Sequence, residues 1–362
     1  MKKFIMFFFF AAIISAQVSN PIPEPKIEFN PRHYVCYKTD KPIKIDGNIT
    51  KPAWSKAEWT DYFIDIEGNS KPVPRFKTRA KMLWDENYLY IAAEIEDPQV
   101  WATIKKRDAV IFHDNDFEIF IDTHGTTHKY YELEINAFAT AWDLFLVKPY
   151  RDAGSAAINS WDIRGLKVAV KILGTINNPN DIDKGWTAEI AIPWSVLKES
   201  YVNDSTPKNG EQFRLNFSRV EWKTKVINGK YVKETDPKTN QPYPEDNWLW
   251  SPQGVINVHY PEMWGFVQFS TKIAGTGKDE FISYPKEKAK WALRKVYYAE
   301  HDYQLKYGSF TSDIKKLGLE NYKVEGYTWP PEFEATKNLF MATITSTDGK
   351  EKISIKDDGE VR

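Results

Sequence analysis

The sequence predicts a mainly β protein: an antiparallel β-sandwich with a small C-terminal helix-plus-hairpin appendage. Three observations predict it. Roughly nine short segments alternate apolar and polar residues with period two, as half-buried strands do. Turn-forming Gly, Pro, Asn and Asp separate these segments. Helical periodicity is almost absent before Lys286, which argues for packed sheets rather than helices on a sheet.

The chain opens MKKFIMFFFFAAIISAQ. Lys2 and Lys3 precede an apolar run from Phe4 to Ile14, then Ser15-Ala16-Gln17, the order of a secretory signal over 1–16 cleaved after Ala16. The run is short for a membrane span, so no span is expected after cleavage. A leader over 17–33 carries Pro21, Pro23, Pro25 and Pro31 and is extended. The sandwich is expected over 34–273. Pro52 opens a short helical turn in which Trp54, with Trp59 after it, plugs one end of the core. Ala80, Met82 and Trp84 alternate, Asp85-Glu86-Asn87 turns, and Leu89, Ile91, Ala93 and Ile95 return. After a long polar loop, Phe117, Ile119 and Ile121 alternate with Glu118, Phe120 and Asp122. Leu133, Ile135 and Ala137 answer across the turn at His124–Thr127, interleaved with Glu132, Glu134 and Asn136. Val168–Ile172 pairs with Trp186–Ile192, a short helix starts at Pro193, Phe213–Phe217 is a strand, and Gly265–Ser270 closes the sandwich. Residues 228–247 read as a charged surface excursion. Over 274–362, Gly275 and Gly277 make a hinge. Lys286–Tyr307 is a helix stopped by Gly308, and a hairpin turns at Asp348-Gly349.

Composition narrows the function. Of 362 residues, 42% are hydrophobic and 15% aromatic, and net charge is -1. This is a globular chain without a basic field for nucleic acid or anionic membranes. The one cysteine, Cys36, excludes an internal disulfide and a paired-cysteine metal site. Three chemistries remain. An Asp/Glu pair among Asp114, Asp116, Glu118, Asp122, Glu132 and Glu134 would suit glycoside hydrolysis. Asp114, Asp116 and Asp122 would suit calcium, a hard cation that takes oxygen ligands; no cofactor is required. Phe112, Trp142, Trp161, Trp222, Tyr260 and Trp264 would suit stacking on sugar faces.

The ordered strings IDGNITKPAWSKAEW, AKMLWDENYLYIAAEIEDP, NDFEIFIDTHGTTHKYYELEINAFATAWDLFL, GWTAEIAIPW and MWGFVQFS resemble the family 9 carbohydrate-binding modules, in the long form of Bacteroidetes-type bacteria. The resemblance spans roughly Ile45 to Ser270. It implies a sandwich related to DOMON domains, which bind sugar or haem, a glycan as partner, no catalysis, and often a structural calcium; the haem alternative would draw on Met82 or Met263 with a histidine. It implies that Glu118 holds sugar hydroxyls and that Phe112 and Tyr260, with His259 beside it, clamp the ring. Glu134 stands where the family has an arginine; Asn136 follows as a hydroxyl donor. The expected protein is exported to the periplasm, cell envelope or medium, and the appendage is a candidate dock for an envelope protein.

Overall fold

The computed structural model describes residues 21–152, 154, 156–200 and 206–362. The expected signal peptide and the first leader residues lie outside the described residues.

The strands are β1 (His33–Lys38), β2 (Ile64–Asp65), β3 (Thr78–Trp84), β4 (Tyr88–Ile95), β5 (Asp116–Asp122), β6 (Tyr130–Asn136), β7 (Ala141–Leu146), β8 (Ala157–Ile158), β9 (Lys167–Ile172), β10 (Trp186–Pro193), β11 (Gln212–Glu221), β12 (Thr224–Ile227), β13 (Lys230–Lys233), β14 (Asp246–Leu249), β15 (Gly265–Ile273), β16 (Glu332–Ala335), β17 (Phe340–Thr345) and β18 (Lys352–Lys356). Helices α1 (Pro52–Ser55) and α2 (Trp194–Leu197) are short, and α3 (Pro285–Tyr307) is long. The main sheet runs β8-β7-β6-β5-β11-β15-β1-β3-β4-β10-β9. Its two ends fold face to face. Ile119, Leu133 and Phe217 from one half share a core with Ile91, Ala93 and Ile190 from the other. Pairing is antiparallel throughout this sheet except at β1, which runs parallel to both β15 and β3. Trp84 fixes that joint. Its indole N–H lies 3.1 Å from the Cys36 carbonyl and 2.9 Å from that of Ser270, so one buried ring ties β3 to β1 and β15.

Some elements differ from expectation. β7 pairs along β6 and extends the central hairpin to three strands; its bulky Trp142 and Phe145 sit among small and polar residues that blur the alternation. The charged excursion starts inside the β12–β13 hairpin and supplies its turn and second strand. Trp59 is not a plug: it is half-buried beneath the Arg79 and Lys81 cations, each 4.2 Å from its ring. The segment after Gly275 is not a free hinge, because Gln268 bonds Glu280 O and Ile282 N across it.

α3 ends where Gly308 adopts φ 77, a left-handed cap open to glycine without strain. Its apolar side packs on β17 and β18 and, through Tyr297 and Tyr298, on Tyr260 and Met263 of the sandwich loop. A buried ionic knot locks this junction. Glu262 lies 2.9 Å from Arg151 and 3.7 Å from Arg294, and Tyr298 Oη donates to it. Burial opposes the charge of Glu262, yet the two guanidiniums hold its carboxyl down at about 2.

Candidate functional site

Period two decides what β5 and β6 show to each side. Phe117, Ile119, Ile121, Leu133 and Ile135 enter the core. The other parity builds a second face, row by row. Trp142, Glu134, Glu118 and Ser218 stand in register across β7, β6, β5 and β11. Leu144, Glu132, Phe120 and Asn216 form the adjacent row. Asp116 lies opposite Asn136 on the other side.

This face is covered. Every residue of β5 and β6 is buried. The loop before β5 lies over β6: the Phe112 amide donates to Glu134 Oε2 at 3.0 Å, and the Trp222 indole donates to the Phe112 carbonyl at 2.8 Å. Phe112 and Trp142 stay half-buried, while Tyr150 is 46% exposed. Tyr150 meets His259 edge-on at 4.6 Å. Burial, then the charges of Glu132 and Glu134, raise its phenol to about 12.

Four carboxylates gather beneath. One oxygen each of Asp116, Glu118 and Glu134 lies within 4.8 Å of the other two. Burial raises the Glu118 carboxyl to about 7, with Glu245 adding to it and Ser218 opposing. Burial, then the Glu118 charge, pushes Asp116, Glu132 and Glu134 well above the carboxylate range. Among the described residues no basic side chain pairs with any of the four. Buried Arg219 is taken by Glu221 at 2.8 Å and Asp97 at 3.9 Å. Lys233 lies 3.2 Å above the Trp222 ring, and burial lowers it to about 8.

The structure brings together Phe112, Asp116, Glu118 and Glu134, and it removes other expected site residues. Asn136 has nothing left to donate: its amide N–H groups go to Ile104 O and Asp114 Oδ2, and its oxygen accepts from the Phe138 and Thr140 amides. Asp114 is likewise engaged, accepting from the Thr103 amide and hydroxyl and the Ile104 amide. Asp122 caps the hairpin turn through the His124, Gly125 and Thr127 amides. It ends the strand that Asp116 begins, so the expected Asp114–Asp116–Asp122 cation site does not form. Tyr260 is no clamp. It is 1% exposed, stacks on Tyr298 at 6.4 Å and donates to Pro23 O. His259 joins the edge of the face, bonded to Tyr130 Oη at 2.8 Å, and burial with the Arg151 charge keeps it neutral, down to about 3. Trp161 packs on core-side Tyr131, and Trp264 is fully buried on Phe120 and Tyr130. Met82 and Met263 are buried in two separate apolar cores. Sequence reasoning missed Tyr150. Its only signal was an aromatic in the Pro149–Trp161 loop, which no periodicity marks.

Residues 45–251 match the carbohydrate family 9 binding domain-like family. Endo-1,4-beta-xylanase C of Paenibacillus barcinonensis is 34% identical over 108 residues, 30% of this chain and 9% of that enzyme. Endo-1,4-beta-xylanase A of Thermotoga maritima is 29% identical over 154 residues, 42% of this chain and 12% of that enzyme. The chain thus spans only a small part of either xylanase. Among solved structures, a family 9 carbohydrate-binding module of Caldicellulosiruptor kristjanssonii in complex with cellotriose is similar, with a TM-score of 0.43 and 16% identity over 69% of this chain and 99% of that one. A putative carbohydrate-binding protein of Bacteroides uniformis gives a TM-score of 0.48 and 14% identity over 67% and 100%. The match over 45–251 covers more than half of the chain, which belongs to the carbohydrate family 9 binding domain-like family.

Proposed function

We propose that this chain is an exported, non-catalytic glycan-binding protein whose sugar lies on the rim of the acidic face. The observation that carries the reading is the juxtaposition, inside the family-matched region, of half-buried Phe112 and Trp142 and exposed Tyr150 around the Glu134–Glu118 row. Rings take the C–H faces of a sugar, and carboxylates take its hydroxyls. The module named above that holds cellotriose offers a first class of ligand to try, β-linked glucans. Xylan is the second, from the xylanases that share part of this sequence.

The test is a glycan array with the purified chain, followed by calorimetry on the best ligand. Phe112→Ala and Tyr150→Ala are each expected to weaken binding by about 1–3 kcal/mol, and Glu118→Gln to weaken it as well. A blank array, or full affinity in all three variants, would overturn the reading. Export is tested by N-terminal sequencing of the native protein, expected to begin at or near Gln17; an intact Met1 would refute it.

A further inference from the structure

We propose that the cleft between the C-terminal appendage and the sandwich binds the further units of a neutral oligosaccharide, so that this protein grips an extended glycan rather than a single sugar. The inference rests on the glycan reading above and names the class of glycan. The cleft has a volume of about 640 Å³, within the roughly 300–1,000 Å³ of ligand pockets. Two sandwich loops form one wall, with Lys148, Tyr150 and Asn257. The end of α3, the turn before β17 and the turn after β18 form the other, with Gln304, Asn338 and Asp358. The second wall lies wholly outside residues 45–251, so it is this chain's own addition to the family-matched region.

The lining suits hydroxyl-rich, uncharged units. Tyr150 supplies an exposed ring for a sugar face. Three amides surround the space. Gln304 accepts from Gly308 through its main-chain carbonyl, and Asn338 donates to Thr336 Oγ1 through its main-chain N–H, so both side-chain amides stay open among the described residues. Asn257 uses its side-chain oxygen on the His259 amide and keeps its NH₂. An amide side chain both donates and accepts, as a hydroxyl does. Acidic chains fit poorly. The Arg151 guanidinium is committed to Glu262 at 2.9 Å and to the face of the Tyr260 ring at 4.1 Å, while Asp152, Asp357 and Asp358 line the same space. Tyr150 joins the cleft to the acidic face: its ring meets His259 at 4.6 Å, and the charges of Glu132 and Glu134 reach its phenol. A chain that stacks on Tyr150 can therefore run from that face into the cleft. The walls are already held in place, because Glu262 pairs with Arg151 of the sandwich and Arg294 of α3, which lowers the ordering cost of binding.

The test is calorimetry on the full chain with cello- and xylo-oligosaccharides, from the monosaccharide to the hexasaccharide. Affinity is expected to rise about tenfold or more from the monosaccharide to the hexasaccharide. Asn338→Ala and Gln304→Ala remove amides that hold no other part of the fold. Each should weaken the hexasaccharide about threefold, the loss of one hydrogen bond, and leave the monosaccharide unchanged. Phe112→Ala, on the acidic face and outside the cleft, should weaken both. Affinity that is flat across chain length, full hexasaccharide affinity in the variant carrying both amide substitutions, or tighter binding of xylo-oligosaccharides that bear uronic acid would each overturn the proposal. Monosaccharide binding with no gain in length defeats this inference alone; a chain that binds no sugar of any length on the array defeats the glycan reading as well.

Discussion

Glu118→Gln should stabilise the protein, increasingly as pH rises from about 4.5 to about 7. In the folded chain burial raises the Glu118 carboxyl from 4.5 to about 7. The unfolded chain returns it to its ordinary value, so between those limits the folded state holds the extra proton. The stability this group contributes is therefore complete below about pH 4.5 and lost as pH rises through about 7. A gap from 4.5 to about 7, at about 1.4 kcal/mol per pH unit, amounts to about 3 kcal/mol. Glutamine carries no charge at any pH and escapes this loss. Unfolding entropy near 2.1 cal/mol/K per residue, over 362 residues, is about 0.8 kcal/mol/K, so the variant should melt about 4 °C above the parent at about pH 8. At about pH 5 the two should melt within about a degree of each other. The assay is thermal melting by circular dichroism in chelator across that range. A difference independent of pH, or a parent that gains stability over the variant as pH rises, would show that Glu118 is solvated or paired and that the face is not closed.

Other perturbations test the rest of the architecture. Tyr260→Ala should cost about 3–5 kcal/mol of stability, as core ring losses do, without reducing glycan affinity; Tyr150→Ala should do the reverse, and denaturant melts beside calorimetry separate the two. Glu262→Gln leaves Arg151 and Arg294 buried without their shared anion and should destabilise by about 3–5 kcal/mol, read by urea unfolding. Because the Glu262 carboxyl is held down at about 2, the stability it gives is present above its unfolded value of 4.5 and lost as pH falls through about 2, so the difference between Glu262→Gln and the parent should shrink in acid. Gly265→Ala would set a methyl 2.5 Å from the ring of fully buried Trp250 and 3.0 Å from Arg32 O. Overpacking of this kind should cost about 1–3 kcal/mol, measured by the shift in the melting midpoint.

By itself the sequence determined the strands with clean alternation and hence the fold class. It also placed Glu118 and Glu134 on the side of the central hairpin opposite Ile119 and Leu133, because side-chain direction in a strand follows position alone. The long helix and its glycine stop were legible for the same local reason: amphipathic spacing and a left-handed cap are written within a few residues. Long-range pairing was not legible. The parallel path of β1 between β15 and β3 depends on contacts more than 40 residues apart in sequence on one side and more than 200 on the other. The polar face of β5 and β6 reads as solvent-facing by period. Only the packed loops, through Phe112 and Trp222, show that it is buried. Tyr260 and Asn136 fell outside the site because a polar or aromatic residue in a loop has the same local signature whether it meets a ligand or its own protein. What decided between those fates was the partner each found in the folded chain: α3 for Tyr260, and the Ile104 carbonyl and Asp114 carboxylate for Asn136.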